Sequence, residues 1–392
     1  MRKIDCLIIG AGAAGMMCAV EAGKRGRSVL LVDHADAPGE KIRISGGGRC
    51  NFTNLRAAPE NFLSDNPRFC ISALRRYTQR DFIGLVEKHN IAYHEKTLGQ
   101  LFCDGSAKAI IDMLLAELGE AGVQLELSTK VDSIERQGDG FHVALSSGPV
   151  EAASVVIATG GKSIPKMGAT GFAYTIAEQF GIEVIEPRPG LVPLTYDSAM
   201  LERLKPLSGI SVDAVVAHGK TRFAEGLLFT HRGLSGPSIL QISSYWREGA
   251  EIVVDLAPGT DIAGRLIADK SSNAKQAVQT ALSGYLPKRL AAAITEEANL
   301  TRPLGDTSDK ALRQLGERVN RWRVAPSGSE GYRTAEVTLG GIDTAALNQK
   351  TMEVKAQPGL YFIGEAVDVT GWLGGYNFQW AWSSGWSAGQ AV

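Results

Sequence analysis

An α/β fold is predicted by three observations. A glycine-rich turn, Gly10-Ala11-Gly12-Ala13-Ala14-Gly15, joins an apolar run to a helical stretch. The texture of the chain changes at Pro187-Arg188-Pro189-Gly190. Near the far end a compact apolar run, Leu360-Tyr361-Phe362-Ile363, reads as one more strand of the first sheet. Together they describe a Rossmann-like domain split by an inserted β-barrel-like plus helical domain.

The elements follow in order. Ile4 to Ile9 is almost wholly apolar, as a strand buried on both faces of a parallel sheet must be. Ala13 to Arg25 reads as helix, Gly26 as its stop, and Ser28 to Val32 as a second buried strand ended by Asp33. From Ile71 to Asn90 two helices are expected, the second opened by Thr78 with Asp81 three residues on, a capping-box pattern. Another helix is expected from Ser106 to Glu120, then strands at Val123–Thr129, Val131–Gln137, Phe141–Ser147 and Ser154–Thr159. The boundary at the Pro-Arg-Pro-Gly segment assigns 1–190 and 335–392 to one discontinuous domain. Residues 191–334 form the insertion, β-rich over 191–256 and mainly helical over 261–323.

The glycine turn has the form G-x-G-x-x-G, in which glycines let backbone N–H groups of Gly10, Gly12, Ala13, Ala14 and Gly15 approach a pyrophosphate at a helix start. Asp33, followed by His34, stands 18 residues past Gly15, where a carboxylate would grip ribose hydroxyls and repel a 2′-phosphate. The turn alone does not separate NAD from FAD. A second loop does more: Lys41-Ile42-Arg43-Ile44-Ser45-Gly46-Gly47-Gly48-Arg49-Cys50-Asn51-Phe52-Thr53-Asn54 packs three glycines, flanking cations and small polar groups together, as close contact with a large anionic planar ligand requires.

This S-G-G-G-R-C-N-F-T-N loop resembles the signature of the bacterial YhiN/HI0933-like flavoproteins, to which a bile-acid reductase is also similar. Further segments share the likeness: Ala158-Thr159-Gly160-Gly161, Leu228-Phe229-Thr230-His231-Arg232-Gly233-Leu234-Ser235-Gly236-Pro237, and the ending Gly359 to Glu365 with Gly374-Gly375-Tyr376-Asn377-Phe378-Gln379. The resemblance implies an FAD-binding fold, with the isoalloxazine between the Ser45–Asn51 loop and the C-terminal segment, and a strand edge at Lys130-Val131 holding adenine. The lead Glu40-Lys41-Ile42-Arg43-Ile44 and the segment Gly171-Phe172-Ala173-Tyr174 depart from the family pattern.

The tail also makes physical sense by itself. Gly364-Glu365 follows an apolar strand, so its N–H groups are expected to meet the pyrophosphate and ribityl region while Asp368 orients nearby groups. Asn377 to Gly389 is expected to be a helix whose positive end stabilises a reduced, anionic flavin. Trp372, Trp380, Trp382 and Trp386 lie in this tail; Gly, Ser, Asn and Gln interrupt them, which favours core packing over an interfacial membrane helix. His231 is a candidate proton donor or a hydrogen-bonded loop histidine. Cys50 is a ligand contact or a buried space-filler, and Arg49 a ligand contact or an ordinary ion-pair partner.

Bulk properties narrow the function. The chain has 392 residues with 44% hydrophobic and 21% charged, enough for a large core and two or more domains. Its 41 Lys and Arg against 42 Asp and Glu leave a net charge of -1, from which neither a nucleic-acid nor a membrane partner is expected. Five cysteines without a C-x-x-C pair argue for reduced thiols in the cytoplasm and against zinc. The expected activity is that of an FAD-dependent oxidoreductase passing hydride from NAD(P)H through flavin to a small organic acceptor such as a conjugated alkene. An RNA-modifying flavoenzyme and a non-enzymatic flavin sensor are the alternatives. No second G-x-G-x-x-G marks a nicotinamide site, so NAD(P)H would dock transiently.

Overall fold

The computed structural model describes residues 2–392. The chain forms two compact units: residues up to Arg188 together with Val337–Val392, and Pro189–Glu336. The first unit begins with β1 (Arg2–Ile9), α1 (Ala13–Lys24), β2 (Val29–Val32), α2 (Glu40–Gly48), β3 (Asn51–Asn54), β4 (Phe62–Leu63), α3 (Cys70–Arg76), α4 (Gln79–Lys88), β5 (Tyr93–Glu95), β6 (Gln100–Cys103) and α5 (Lys108–Glu120). There follow β7 (Gln124–Glu126), β8 (Val131–Gln137), β9 (Gly140–Leu145), β10 (Val150–Ile157), α6 (Phe172–Gln179) and β11 (Val184–Gly190).

The second unit holds β12 (Leu194–Thr195), α7 (Ser198–Leu204), β13 (Ser211–His218), β14 (Thr221–Phe229), β15 (Gly233–Ser235), α8 (Pro237–Ser243) and β16 (Ile252–Asp255). Its later part is helical: α9 (Ile262–Ser272), α10 (Val278–Leu282), α11 (Lys288–Glu297) and α12 (Asp309–Asn320), closed by β17 (Trp322–Val324) and β18 (Gly328–Ser329). The seven strands form one antiparallel sheet in the order β17-β16-β13-β14-β15-β12-β18, with α8 packed on β13 and β14. The chain then re-enters the first unit as β19 (Val337–Ile342), β20 (Leu360–Phe362), β21 (Thr370–Gly371) and α13 (Tyr376–Gly389).

The sheet that carries the site runs β7-β2-β1-β10 in parallel. One edge of β10 serves two partners: Val150–Ala152 pair antiparallel with β9, and Val155–Ile157 pair parallel with β20. The late apolar run therefore completes a sheet begun at residue 2. Cys6, Leu7, Ile8, Leu30, Leu31, Val155 and Val156 are fully buried, as strands covered on both faces require.

Local departures have local causes. The strand expected over Val123–Thr129 shortens to three residues, because it is an edge whose Glu126 turns to pair with Arg2 at 2.6 Å. The expected continuous loop from Lys41 to Asn54 is a short helix that breaks at Ser45, Gly46 and Gly47, then becomes strand β3. Three successive glycines at φ 57°, 67° and 83° make that break possible. At α4 the capping residue Thr78 donates its N–H to the Asp81 carboxylate at 2.7 Å. Trp380 and Trp382 are buried in the core, and among the described residues no helix is long and apolar enough to cross a membrane.

Candidate functional site

β1 delivers the chain to Gly10, whose φ of 110° and tight contact with β10 exclude a side chain: a Cβ would lie 2.6 Å from Ala158 O. A Cβ on Gly15 would collide with Gly10 O. At Gly12 it would meet nothing within 4 Å, so the outer side of the turn is open. Asp33 closes this turn, accepting from Ala11 N at 2.6 Å and from Ala35 N at 2.9 Å. Thr129 N donates to Asp33 O at 2.8 Å, which brings Lys130 and Val131 alongside Asp33 and His34. The Thr159 hydroxyl, next to Gly10, is buried without a hydrogen-bond partner among the described residues.

A polar cluster sits below the strand-end turn. Lys41 Nζ donates to Glu365 Oε2 at 2.6 Å and to Ser163 Oγ at 2.7 Å, and Ser163 Oγ donates to Glu365 Oε1 at 2.7 Å. Thr338 completes it: its N–H donates to Glu365 Oε1 at 3.0 Å, and its hydroxyl accepts from Lys162 N at 2.8 Å and Ser163 N at 3.1 Å. Four segments far apart in sequence thus hold Gly160 and Gly161 in place. Ser163 and Thr338 are absent from the sequence-based site; isolated hydroxyls leave no spacing signal, and only the neighbouring Gly340-Gly341 marks their strand as unusual.

The Ser45–Asn51 loop meets the tail directly. A Cβ on Gly46 would sit 2.7 Å from the Phe102 ring. The other two glycines of the loop face open space. Cys50 has φ 48° and is buried, and burial pushes its thiol up to about 12 against a weaker opposing hydrogen bond from Ser45. With its amide oxygen turned toward Gly375 N at 3.3 Å, Asn51 can donate to Thr53 O and Leu101 O, both at 3.1 Å. Asn54 donates to Gly374 O at 2.8 Å, so β3 and the Gly374-Gly375 turn are stitched together. Arg49 is exposed.

Several residues of the expected site in the tail are engaged elsewhere. Gly364 N–H donates to Ser384 Oγ at 3.0 Å and Gly364 O accepts from Trp380 Nε1 at 3.0 Å, because α13 packs over the end of β20. The Asn377 side chain bonds Gly371 N and O at 2.8 and 2.9 Å, shaping its own turn. Asp368 accepts from Asp65 N at 2.8 Å and Ser64 Oγ at 3.2 Å, and burial pushes its carboxyl up. Tyr376 is buried and Phe378 stacks on Trp382 at 5.7 Å.

Helices α1 and α13 run side by side in the same direction. A Cβ on Gly385 would strike Ala14 O, one on Gly389 would lie 2.7 Å from Cys18 O, and Gln390 donates to Glu21 at 2.7 Å. With that register α13 starts six to eight residues before α1, a stagger of about 10 Å at 1.5 Å per residue. Neither helix start carries a side-chain cap. The first unit therefore points two positive helix ends the same way, offset by about 10 Å along their axes, past open glycine faces and an orphaned hydroxyl. These residues fit an extended ligand with anionic character at two places, which is the form of FAD. Every sequence-predicted residue of the site lies in this unit except His231, which is exposed in the turn from Thr230 to Gly233 of the second unit.

The family described as HI0933-like protein Rossmann domain matches residues 4–391. A ribosomal RNA dihydrouridine synthase of Escherichia coli (strain K12) is 52% identical over 100% of this chain and 98% of its own length. A 3-dehydro-bile acid delta(4,6)-reductase of Clostridium scindens is 27% identical, with 98% of each chain covered. Among solved structures, the 3-ketosteroid-delta4-(5alpha)-dehydrogenase from Rhodococcus jostii RHA1 covers 99% of this chain and 97% of its own at 14% identity and a TM-score of 0.52, a likeness of fold alone.

The comparisons correct two expectations. A small organic acceptor is overturned, since the full-length relative sharing half of its residues is an enzyme of ribosomal RNA, while the bile-acid enzyme shares about a quarter. The expectation of no nucleic-acid partner falls with it. Its premise was physically weak: a net charge is an average, and docking to phosphates needs only a local group of cations.

Proposed function

The chain belongs to the HI0933-like family of FAD-dependent oxidoreductases, and from that premise we propose that it reduces uridine in ribosomal RNA to dihydrouridine. The observation that carries this reading is the 52% identity, without large gaps in coverage, to the Escherichia coli ribosomal RNA dihydrouridine synthase. The reaction adds a hydride and a proton across the C5–C6 double bond of uracil. FAD, once bound and reduced, supplies the hydride.

The chain's own residues do the rest. The Gly10–Gly15 turn and the start of α1 bind the pyrophosphate, and Asp33, His34 and the Lys130-Val131 edge border the adenosine. Thr159 gives its free hydroxyl to the ligand. Lys41 and Glu365 hold the Ala158–Gly161 turn, while Ser45–Asn51 and the Gly374-Gly375 turn flank the flavin. The uncapped start of α13 favours negative charge on the flavin edge. Arg49 takes a phosphate of the RNA. NAD(P)H is the electron donor in this reading, docking transiently. An RNA substrate and five unpaired thiols are consistent with a cytoplasmic location.

The test is to express the protein in an Escherichia coli strain deleted for its own ribosomal RNA dihydrouridine synthase, digest the purified ribosomal RNA to nucleosides, and quantify dihydrouridine by mass spectrometry. Restoration of the lost dihydrouridine is expected. Its absence in cells that make folded, yellow protein would overturn the reading. Anaerobic mixing with NADH and NADPH should bleach the flavin with at least one of them; failure of both removes the nicotinamide step only.

A further inference from the structure

The β5–β6 hairpin ends in an exposed leucine whose backbone adopts a conformation that L-residues avoid. Leu98 has φ 52° and is 44% exposed, and Gly99 follows at φ 81°. Glycine or asparagine ordinarily fills such a position, and an exposed leucine gains little there from burial. Leu55, also 44% exposed, lies alongside, its N–H donating to Gly99 O at 2.8 Å. Strain and exposed apolar surface at one tip are the marks of a contact surface.

Two cations stand at this tip, Arg56 against Gly99 and Lys96 in the turn itself, while Arg49 stands at the other end of β6, its carbonyl accepting from Cys103 N at 3.0 Å. Arg49, Arg56 and Lys96 are all exposed, and none has a carboxylate partner among the described residues. Lys96 lies over the Phe102 ring at 5.4 Å. The nearby Glu95 turns back into the hairpin to accept Gly99 N–H at 3.0 Å. The tip also borders the candidate flavin site: Asn54 donates both to Leu98 O at 3.2 Å and to Gly374 O at 2.8 Å, and Phe102 lies against Gly46.

We propose that Leu98, backed by Leu55, is a wedge that enters the base stack of the RNA and holds the target uridine extruded toward the flavin, while Arg49, Arg56 and Lys96 hold the flanking phosphates. The inference rests on the RNA-reducing reading above. A base cannot be reached by a flavin while it is stacked, so it must leave the stack. Apolar side chains inserted between bases serve that purpose in other nucleic-acid proteins, and the unpaired cations match the charge of the strand.

The test uses the full-length FAD-bound protein and deproteinised ribosomal RNA from the deletion strain. Leu98→Asn suits the left-handed backbone but removes the wedge. It should keep FAD content and melting temperature while losing at least tenfold in the rate of dihydrouridine formation, and Leu98→Met should restore most of that rate. Three phosphate contacts predict that raising salt from 50 to 200 mM weakens RNA binding by roughly twenty- to fortyfold. The Arg56→Ala/Lys96→Ala variant should flatten the log–log salt slope by roughly 1.5 to 2. Turnover of Leu98→Asn at the wild-type rate, or an unchanged slope in the double variant, overturns the proposal. If wild-type protein makes no dihydrouridine, the underlying reading fails, while the salt slope still decides whether this surface binds RNA.

Discussion

Cys50 shows how far one residue's neighbours decide its chemistry. By sequence it is a ligand contact or a buried space-filler; the fold buries it and raises its thiol to about 12, so it stays protonated near neutrality. All five cysteines are buried and free. Native protein treated with iodoacetamide at pH 8 should therefore show Cys50 unmodified by peptide mass spectrometry, with full alkylation after denaturation; rapid native alkylation would contradict the burial. The same lesson applies to Gly364. Its place after an apolar strand suggested a free N–H, and only the packing of Ser384 reveals that the N–H is occupied.

At the scale of elements, helix contacts rather than propensities position the site. Gly385 lets α13 touch the backbone of α1, and Gly385→Ala should cost about 2 kcal/mol in urea unfolding and loosen FAD, because the overlap is with backbone that cannot rotate away. Retention of wild-type stability would mean that the helices slide without penalty. A second device joins α1, α4 and α5. Glu117, fully buried, meets Lys88 at 2.6 Å, Lys24 at 2.7 Å and His89 at 2.8 Å. Burial alone would push its carboxyl up, but hydrogen bonds from His89, Lys24 and Lys88 outweigh that and hold it at about 2, below its ordinary 4.5. A lowered folded value means the charged form stabilises the fold above pH 4.5, and the benefit is lost as pH falls toward 2. Urea midpoints of the wild type should drop through that window, while Glu117→Gln should start lower at pH 7 and vary less. Parallel pH profiles would rule the cluster out. Nothing in the sequence paired these four residues, since they lie on three helices and the only local cue is the adjacency of Lys88 and His89.

At the scale of the whole molecule, the proposed cofactor gathers segments from Gly10 to Phe378 into one site, so its loss should be felt by the fold. Stripping FAD and returning it at a hundred times its dissociation constant should raise the melting temperature by about 5–10 °C, from roughly 2.7 kcal/mol of linkage. An unchanged melting curve would argue that the first unit is complete without it. The α/β class, the glycine turn and the flavoprotein family were legible in the sequence, because a strand, a tight turn and a helix start are built by neighbours and force glycine at positions close along the chain. The substrate was misjudged for a related reason: composition reports only the average charge, and a cationic rim of three residues vanishes within a total of -1. Only the tertiary structure set α13 beside α1, closed the Lys41–Glu365–Thr338 cluster and put Leu98 at the lip of the site. Those juxtapositions join residues up to several hundred positions apart, and packing and hydrogen bonding choose such partners by shape in space, which local pattern does not encode.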